Sequence, residues 1–312
     1  MNWLMANRLG HIAAAKAHGR LRVDPGVYPV NVNKAIDDAD LSLMRRPLPR
    51  LFGIYVEAAG KRGVLVNSMM TRATRRHTAA HELGHHEFGH RPDPARRCAI
   101  ESAGDSSPGA PVPVRARGEV EMTAEAFAAW FLMPRRAVIA ALADLGQRKP
   151  TSAREVYQLS LMLGTTFRAT CRHLANLRMV RQTDAEAWAR TQPARLKRDA
   201  GLAAGLHLDS TLDIDVWDLR TRAAGRVEAS LGDILVAPSD SSMIADQVAG
   251  MTVAAGNDQT VALACGAPQS LTSVTLGAAA LEIVVHPRPT GLYLPDSDLS
   301  RGGVPLDDVE PA

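Results

Sequence analysis

His77 to His90 reads HTAAHELGHHEFGH, and three of its side chains decide how the chain is read. His81 and His85 are four residues apart; at 3.6 residues per helical turn they stand about 40° apart on one face. Both imidazoles can then reach one metal ion. Glu82 follows the first histidine and completes the HExxH pattern, in which the glutamate is not a ligand but takes a proton from the attacking water. The set is two ligands and one base. Thr71 or Thr74 can cap such a helix, and Ala79, Ala80, Leu83 and Phe88 supply its apolar residues. Gly84 is unfavourable inside a helix, which points to close packing or substrate approach at that position. On an ideal helix His86 and His90 point about 100° and 140° away from His85 and read as surface residues.

A catalytic zinc needs a third protein ligand and an open position. The metzincin pattern would place glycine at 88 and histidine at 91, where this chain has Phe88 and Arg91, so that class is rejected. The next candidate is Glu119 to Pro134, EVEMTAEAFAAWFLMP, a helix with Ala124, Phe127, Ala128 and Phe131 as its packing stripe. Glu121 and Glu125 lie one turn apart on it, and the residues alone allow either to be the ligand.

The two motifs in this order, TRATRRHTAAHELGHHEFGH and then ExxAxxFAAxxLMP from Glu121 to Pro134, resemble the ImmA/IrrE family of zinc metallo-endopeptidases. The resemblance implies a zincin-like fold with a small sheet and zinc on His81, His85 and Glu121, with Glu82 as base. It favours Glu121 over Glu125, because the glutamate that opens ExxAxxFA is the family's expected ligand. Two positions depart from the pattern: Thr123, where a second acidic residue is common, and His77, where an aromatic is common. His77 reads as a polar residue at the start of the helix. The resemblance further implies a protein substrate, a cytoplasmic helix-turn-helix repressor of a mobile element or stress response, whose cleavage relieves repression. It covers roughly residues 50 to 185.

The chain has 312 residues, 46% hydrophobic and 22% charged, which suits a globular protein of two or three domains. Cys98, Cys171 and Cys265 are odd in number, lack metal-ligand spacing and point to a reducing cytoplasm. Arg8, His11 and Lys16 interrupt the N-terminal apolar residues, which excludes a signal peptide, and no run reaches the length of a membrane span. The net charge of +3 hides an uneven distribution. Lys plus Arg against Asp plus Glu is 22 to 14 over residues 1–150, 9 to 4 over 151–200, and 5 to 15 beyond. A basic part of this kind can meet acidic partners or the chain's own acidic tail.

The pattern and the resemblance together predict an α+β chain in three parts: a zincin-like peptidase domain over 1–150, a helical helix-turn-helix-like domain over 151–200, and a β-rich C-terminal domain over 201–312, for which regulation, substrate selection and stabilisation are all open. A helix is expected from Met5 to His18, with Leu9, Ile12 and Ala13 as its apolar side, and a short surface helix within Asn33 to Met44. LFGIYVE (Leu51–Glu57) and GVLVN (Gly63–Asn67) read as a hairpin whose edge can hold an extended substrate beside the metal. Ile100 to Gly118, rich in Gly, Pro and Ser, reads as a loop and a candidate lid.

Over 152–180, Leu159 and Leu163, the Gly164 turn, the Thr166 cap, and Leu174 and Leu177 form a helix-turn-helix pattern. Exposed Arg168 and Arg172 could then meet DNA phosphates, or the pair is a helical support. From His207 onward, runs such as DILVAP, QTVALAC and ALEIVVHP predict a small all-β sandwich or barrel. A second functional class stays open: a DNA-binding transcriptional regulator in which the zinc is structural or inactive. Glu82 separates the two, since a structural site has no use for a base and closes with a fourth protein ligand.

Overall fold

A computed structural model describes residues 1–48, 51–58, 60–90, 98–99, 118–211, 214–220, 222, 224–239, 250–276 and 279–287. The candidate lid at 100–118 therefore lies outside the described residues except for Gly118, as does the side chain of Cys98. The helices are α1 (Trp3–Arg20), α2 (Val32–Asp38), α3 (Arg72–Glu87), α4 (Glu119–Leu132), α5 (Arg135–Asp144), α6 (Ala153–Leu163), α7 (Phe167–Asn176), α8 (Gln182–Ala189) and α9 (Pro193–Leu202). The strands are β1 (Ser42–Arg46), β2 (Leu51–Ala58), β3 (Lys61–Asn67), β4 (Cys98–Ala99), β5 (Val216–Asp218), β6 (Ala224–Ser230), β7 (Ile234–Pro238), β8 (Met251–Gly256), β9 (Thr260–Cys265), β10 (Gln269–Leu276) and β11 (Ala279–His286). The class is α+β.

The first sheet has the order β1-β3-β2-β4, with β2 and β3 an antiparallel hairpin and β1 parallel to β3. Val64 and Val66 turn into the core, and the sheet packs on α3. Asn67 ends β3 and ties down the chain on both sides: its amide donates to the carbonyls of Leu48 and Leu51 and accepts from the N–H of Leu48 and Met69.

Helix α4 is sandwiched between α1 and α3. The face of α1 that packs differs from the expected one. Leu9 and Ile12 are 38% and 47% exposed, whereas Ala6, Gly10, Ala14 and Ala17 are buried. The reason is the close approach of the helices: a Cβ on Gly10 would stand 2.7 Å from the backbone of Ala126, so only the small-residue side of α1 fits against α4. The surface helix expected within Asn33 to Met44 is also corrected. It ends at Asp38, buries Val32, Ala35 and Ile36, and gives way to β1.

Helices α6 and α7 form the expected turn: Gly164 is left-handed at φ 61°, Thr166 caps α7 through the N–H of Ala169, and Leu159, Leu163, Leu174 and Leu177 are all buried. Arg172 is exposed, but Arg168 is only half-exposed, so the two arginines do not form an open pair. Beyond α9 the described strands make two small sheets, β10-β11-β6 and β5-β7-β9-β8. β6, AGRVEAS, had no apolar alternation to announce it; it pairs parallel with β11 and buries Val227 and Ala229. One apolar cluster runs from Ala14 through Phe131 and Leu163 to Val227 and Leu281. The helical and β-rich parts thus share a core with the first sheet. Among the described residues no single helix is long and apolar enough to cross a membrane.

Candidate metal centre

Thr71 caps α3 by accepting from the N–H of Thr74, and the helix carries its site residues on the side that faces α4 and β2. Gly84 lets α4 come close: a Cβ there would lie 3.0 Å from the Phe127 ring and 3.2 Å from the backbone of Ala124. This is the close-packing role that its position inside a helix suggested. It sets Glu121, in the first turn of α4, opposite His81 and His85.

His81 Nε2 lies 3.2 Å from Glu121 Oε2, His85 Nε2 lies 3.6 Å from Glu121 Oε1, and the two Nε2 atoms are 3.1 Å apart. Protons satisfy this triangle poorly. If both rings carry hydrogen on Nε2 to face the carboxylate, the contact between the nitrogens sets two donors against each other. A cation at the centre satisfies all three contacts. Ligand atoms about 2.0–2.2 Å from a tetrahedral zinc stand roughly 3.3–3.6 Å apart, close to the observed spacing. The residues fit a metal ion, which two imidazoles and one carboxylate could hold. Burial alone would push Glu121 up, but its bonds to His81 and His85 hold its carboxyl well below the usual carboxylate range.

Glu125 goes elsewhere. Its Oε2 is 3.1 Å from His77 Nε2 and 3.6 Å from His81 Nδ1, the nitrogen of His81 that faces away from Glu121. Glu125 thus sits behind the His81 ring, and His77 is its partner rather than a bare polar residue at the helix start. Burial likewise opposes its charge, and His77 and His81 overcome it to keep the carboxyl well below its ordinary value.

Glu82 is buried beneath β2. Burial raises its pKa, the nearby His81 and His85 lower it, and the backbone N–H of Tyr55 bonds the carboxylate. Gly53 on β2 leaves the necessary room: a Cβ there would stand 2.4 Å from Thr78 Cγ2, 2.8 Å from the Leu65 carbonyl and 3.6 Å from Glu82 Oε1. Gly53 was missed in the sequence, where a glycine in a strand signals a bulge or close approach without saying to what.

His86 and His90 are half-buried, and each has a partner. His86 Nδ1 meets the Tyr55 hydroxyl at 3.1 Å, and burial lowers its pKa. His90 Nδ1 meets His85 Nδ1 at 3.0 Å. The helical projection failed for His90 because α3 stops at Glu87.

A search of curated proteins finds no match to this chain. A solved structure of a Mycobacterium tuberculosis transcriptional regulator is 16% identical with a TM-score of 0.34, covering 58% of this chain and 54% of that one. The chain thus spans about half the length of that protein, and a likeness so low carries no argument. Residues 45–163 match the family model of the IrrE N-terminal-like domain, Peptidase_M78, so this segment is similar to that domain, while the C-terminal region is unassigned.

Proposed function

We propose that this chain is a zinc-dependent endopeptidase that cuts a cytoplasmic helix-turn-helix repressor at a specific site and so relieves repression. The observation that carries the peptidase reading is the triangle of His81, His85 and Glu121 donor atoms at 3.1–3.6 Å, with the carboxylate of Glu82 buried beside it. A zinc bound there supplies a Lewis acid that makes water easier to deprotonate and polarises the substrate carbonyl. Glu82 takes the proton of the attacking water and passes it to the leaving amine. His81, His85 and Glu121 would hold that metal. The repressor as substrate rests on the family resemblance of the two motifs.

The test is to express the chain, and separately its Glu82→Gln form, together with the helix-turn-helix repressor encoded nearest to it, and to measure intact masses. Two fragments that need Glu82 are the expected result. An intact repressor with zinc-loaded wild type counts against this substrate. The regulator reading keeps one observation in its favour, the α6-Gly164-α7 turn with Arg172 exposed. If it holds, Arg172→Ala weakens DNA binding and flattens its salt dependence.

A further inference from the structure

We propose that His90 is a positioning residue of the metal centre: it accepts the Nδ1–H of His85 and so holds the Nε2 lone pair of His85 on the metal. This rests on the metal reading above and extends it to a residue outside HExxH.

The geometry begins in the backbone. Gly89 adopts a left-handed φ of 65°, the N–H of His90 bonds the carbonyl of His85, and the N–H of Gly89 bonds that of His86. This is a Schellman ending, in which a left-handed residue turns the chain back over the last helical turn. It returns His90 to the residue five positions earlier. The ring of His90 is then stacked on Phe88, with centroids 5.4 Å apart and planes within 16°, and Phe88 packs edge-on against Phe127 of α4. The imidazole is fixed in plane before it meets His85.

Hydrogen counting assigns the roles. A His85 that gives its Nε2 lone pair to a metal carries its proton on Nδ1. The atom 3.0 Å from that Nδ1 is His90 Nδ1, which must therefore accept, placing the proton of His90 on Nε2. His90 faces the nitrogen of His85 opposite the metal side, so it orients a ligand and is not one itself. The two ligand rings then have unlike supports: the Glu125 carboxylate lies behind His81, and a neutral ring lies behind His85.

The test uses the full-length chain. Zinc affinity is measured by chelator competition, the visible spectrum is recorded on the cobalt-substituted form, and the urea midpoint of metal-free protein reports folding. His90→Ala and His90→Phe are expected to weaken zinc binding about 10–100-fold and to shift the cobalt bands, with the metal-free midpoint unchanged. His90→Phe keeps the stack on Phe88 but has no acceptor. His90→Asn places an oxygen where Nδ1 stands and should restore affinity to within a few-fold of wild type. A purely structural role would instead be rescued by Phe and not by Asn, and that pattern overturns the proposal. So does His90→Ala with affinity within twofold of wild type and an unchanged spectrum. Loss of zinc as complete as in His85→Ala would make His90 a ligand and overturns it too. A folded wild type that takes up no metal removes the metal reading, and this proposal with it.

Discussion

At the scale of single residues, the site separates carboxylates that look alike in sequence. Glu82, Glu121 and Glu125 all lie near His81, yet they meet different atoms: Glu121 faces the Nε2 atoms of His81 and His85, Glu125 faces His81 Nδ1 and His77, and Glu82 lies beside them under β2. Different substitutions should therefore fail differently. Glu82→Gln is expected to keep a full equivalent of zinc and lose cleavage. Glu121→Ala should lose most of its zinc, and Glu125→Ala should retain it with affinity reduced about 10–100-fold. Metal content after gel filtration, with an activity assay beside it, separates the three; full zinc in Glu121→Ala with none in Glu125→Ala would exchange their roles. The His-Glu-His spacing and the family motif made most of this site legible. His77 and His90 were illegible, because the first depends on the side chain of another helix and the second on where α3 ends.

Among the elements, glycines decide how close the pieces come. Gly84 and Gly10 are the contact points of α4 with α3 and α1, and each faces backbone within 3.2 Å or 2.7 Å of a would-be Cβ. Backbone cannot rotate aside as a flexible side chain does. Gly10→Val is expected to destabilise the fold by about 1–3 kcal/mol, read as a lower urea midpoint. Gly84→Val should do the same and also lower zinc affinity, since it moves the helix that carries Glu121 away from the one that carries the histidines. Equal zinc affinity in the two variants would show that the α3–α4 spacing does not set the site. The helices of this region could be read from their periodicity and caps, and the hairpin from its two β-branched runs. The buried face of α1 could not, because Leu9 and Ile12 are its more hydrophobic residues and only the approach of α4 makes smallness the criterion.

For the whole molecule, the charge imbalance along the chain is partly resolved inside it. Arg72, at the start of α3, pairs with Glu228 of β6; Arg154 of α6 pairs with Asp218 of β5, and Lys197 lies 3.3 Å from Asp215. Part of the acidic C-terminal region thus answers the basic residues before it. Of these pairs, Arg72 and Glu228 are together the least exposed. Burial would raise the pKa of Glu228, but His286, Arg72 and Arg226 together hold its carboxyl well below the usual carboxylate range. A depressed folded pKa means the stabilisation is present above the unfolded value, about 4.3, and is lost as the pH falls toward the folded one. Glu228→Gln is expected to lower stability at pH 7, since it removes the carboxylate that Arg72, Arg226 and His286 share. The gap from wild type should shrink as the pH falls below about 4. A gap that is constant with pH in urea titrations would mean the pair is not what holds β6 to α3.

From the residues alone one could read the candidate centre, namely two imidazoles and a carboxylate at helical spacing, the later helix that brings Glu121 to them, and the order of helical and β-rich parts. These are local properties, written in residues within a few turns of one another or in one family motif. Which atoms of the three glutamates meet which nitrogens, which face of α1 is buried, and that His90 returns to His85 emerge in the folded chain alone. Each of these depends on the distance between segments far apart in the chain, or on one left-handed residue that ends a helix, and periodicity carries neither.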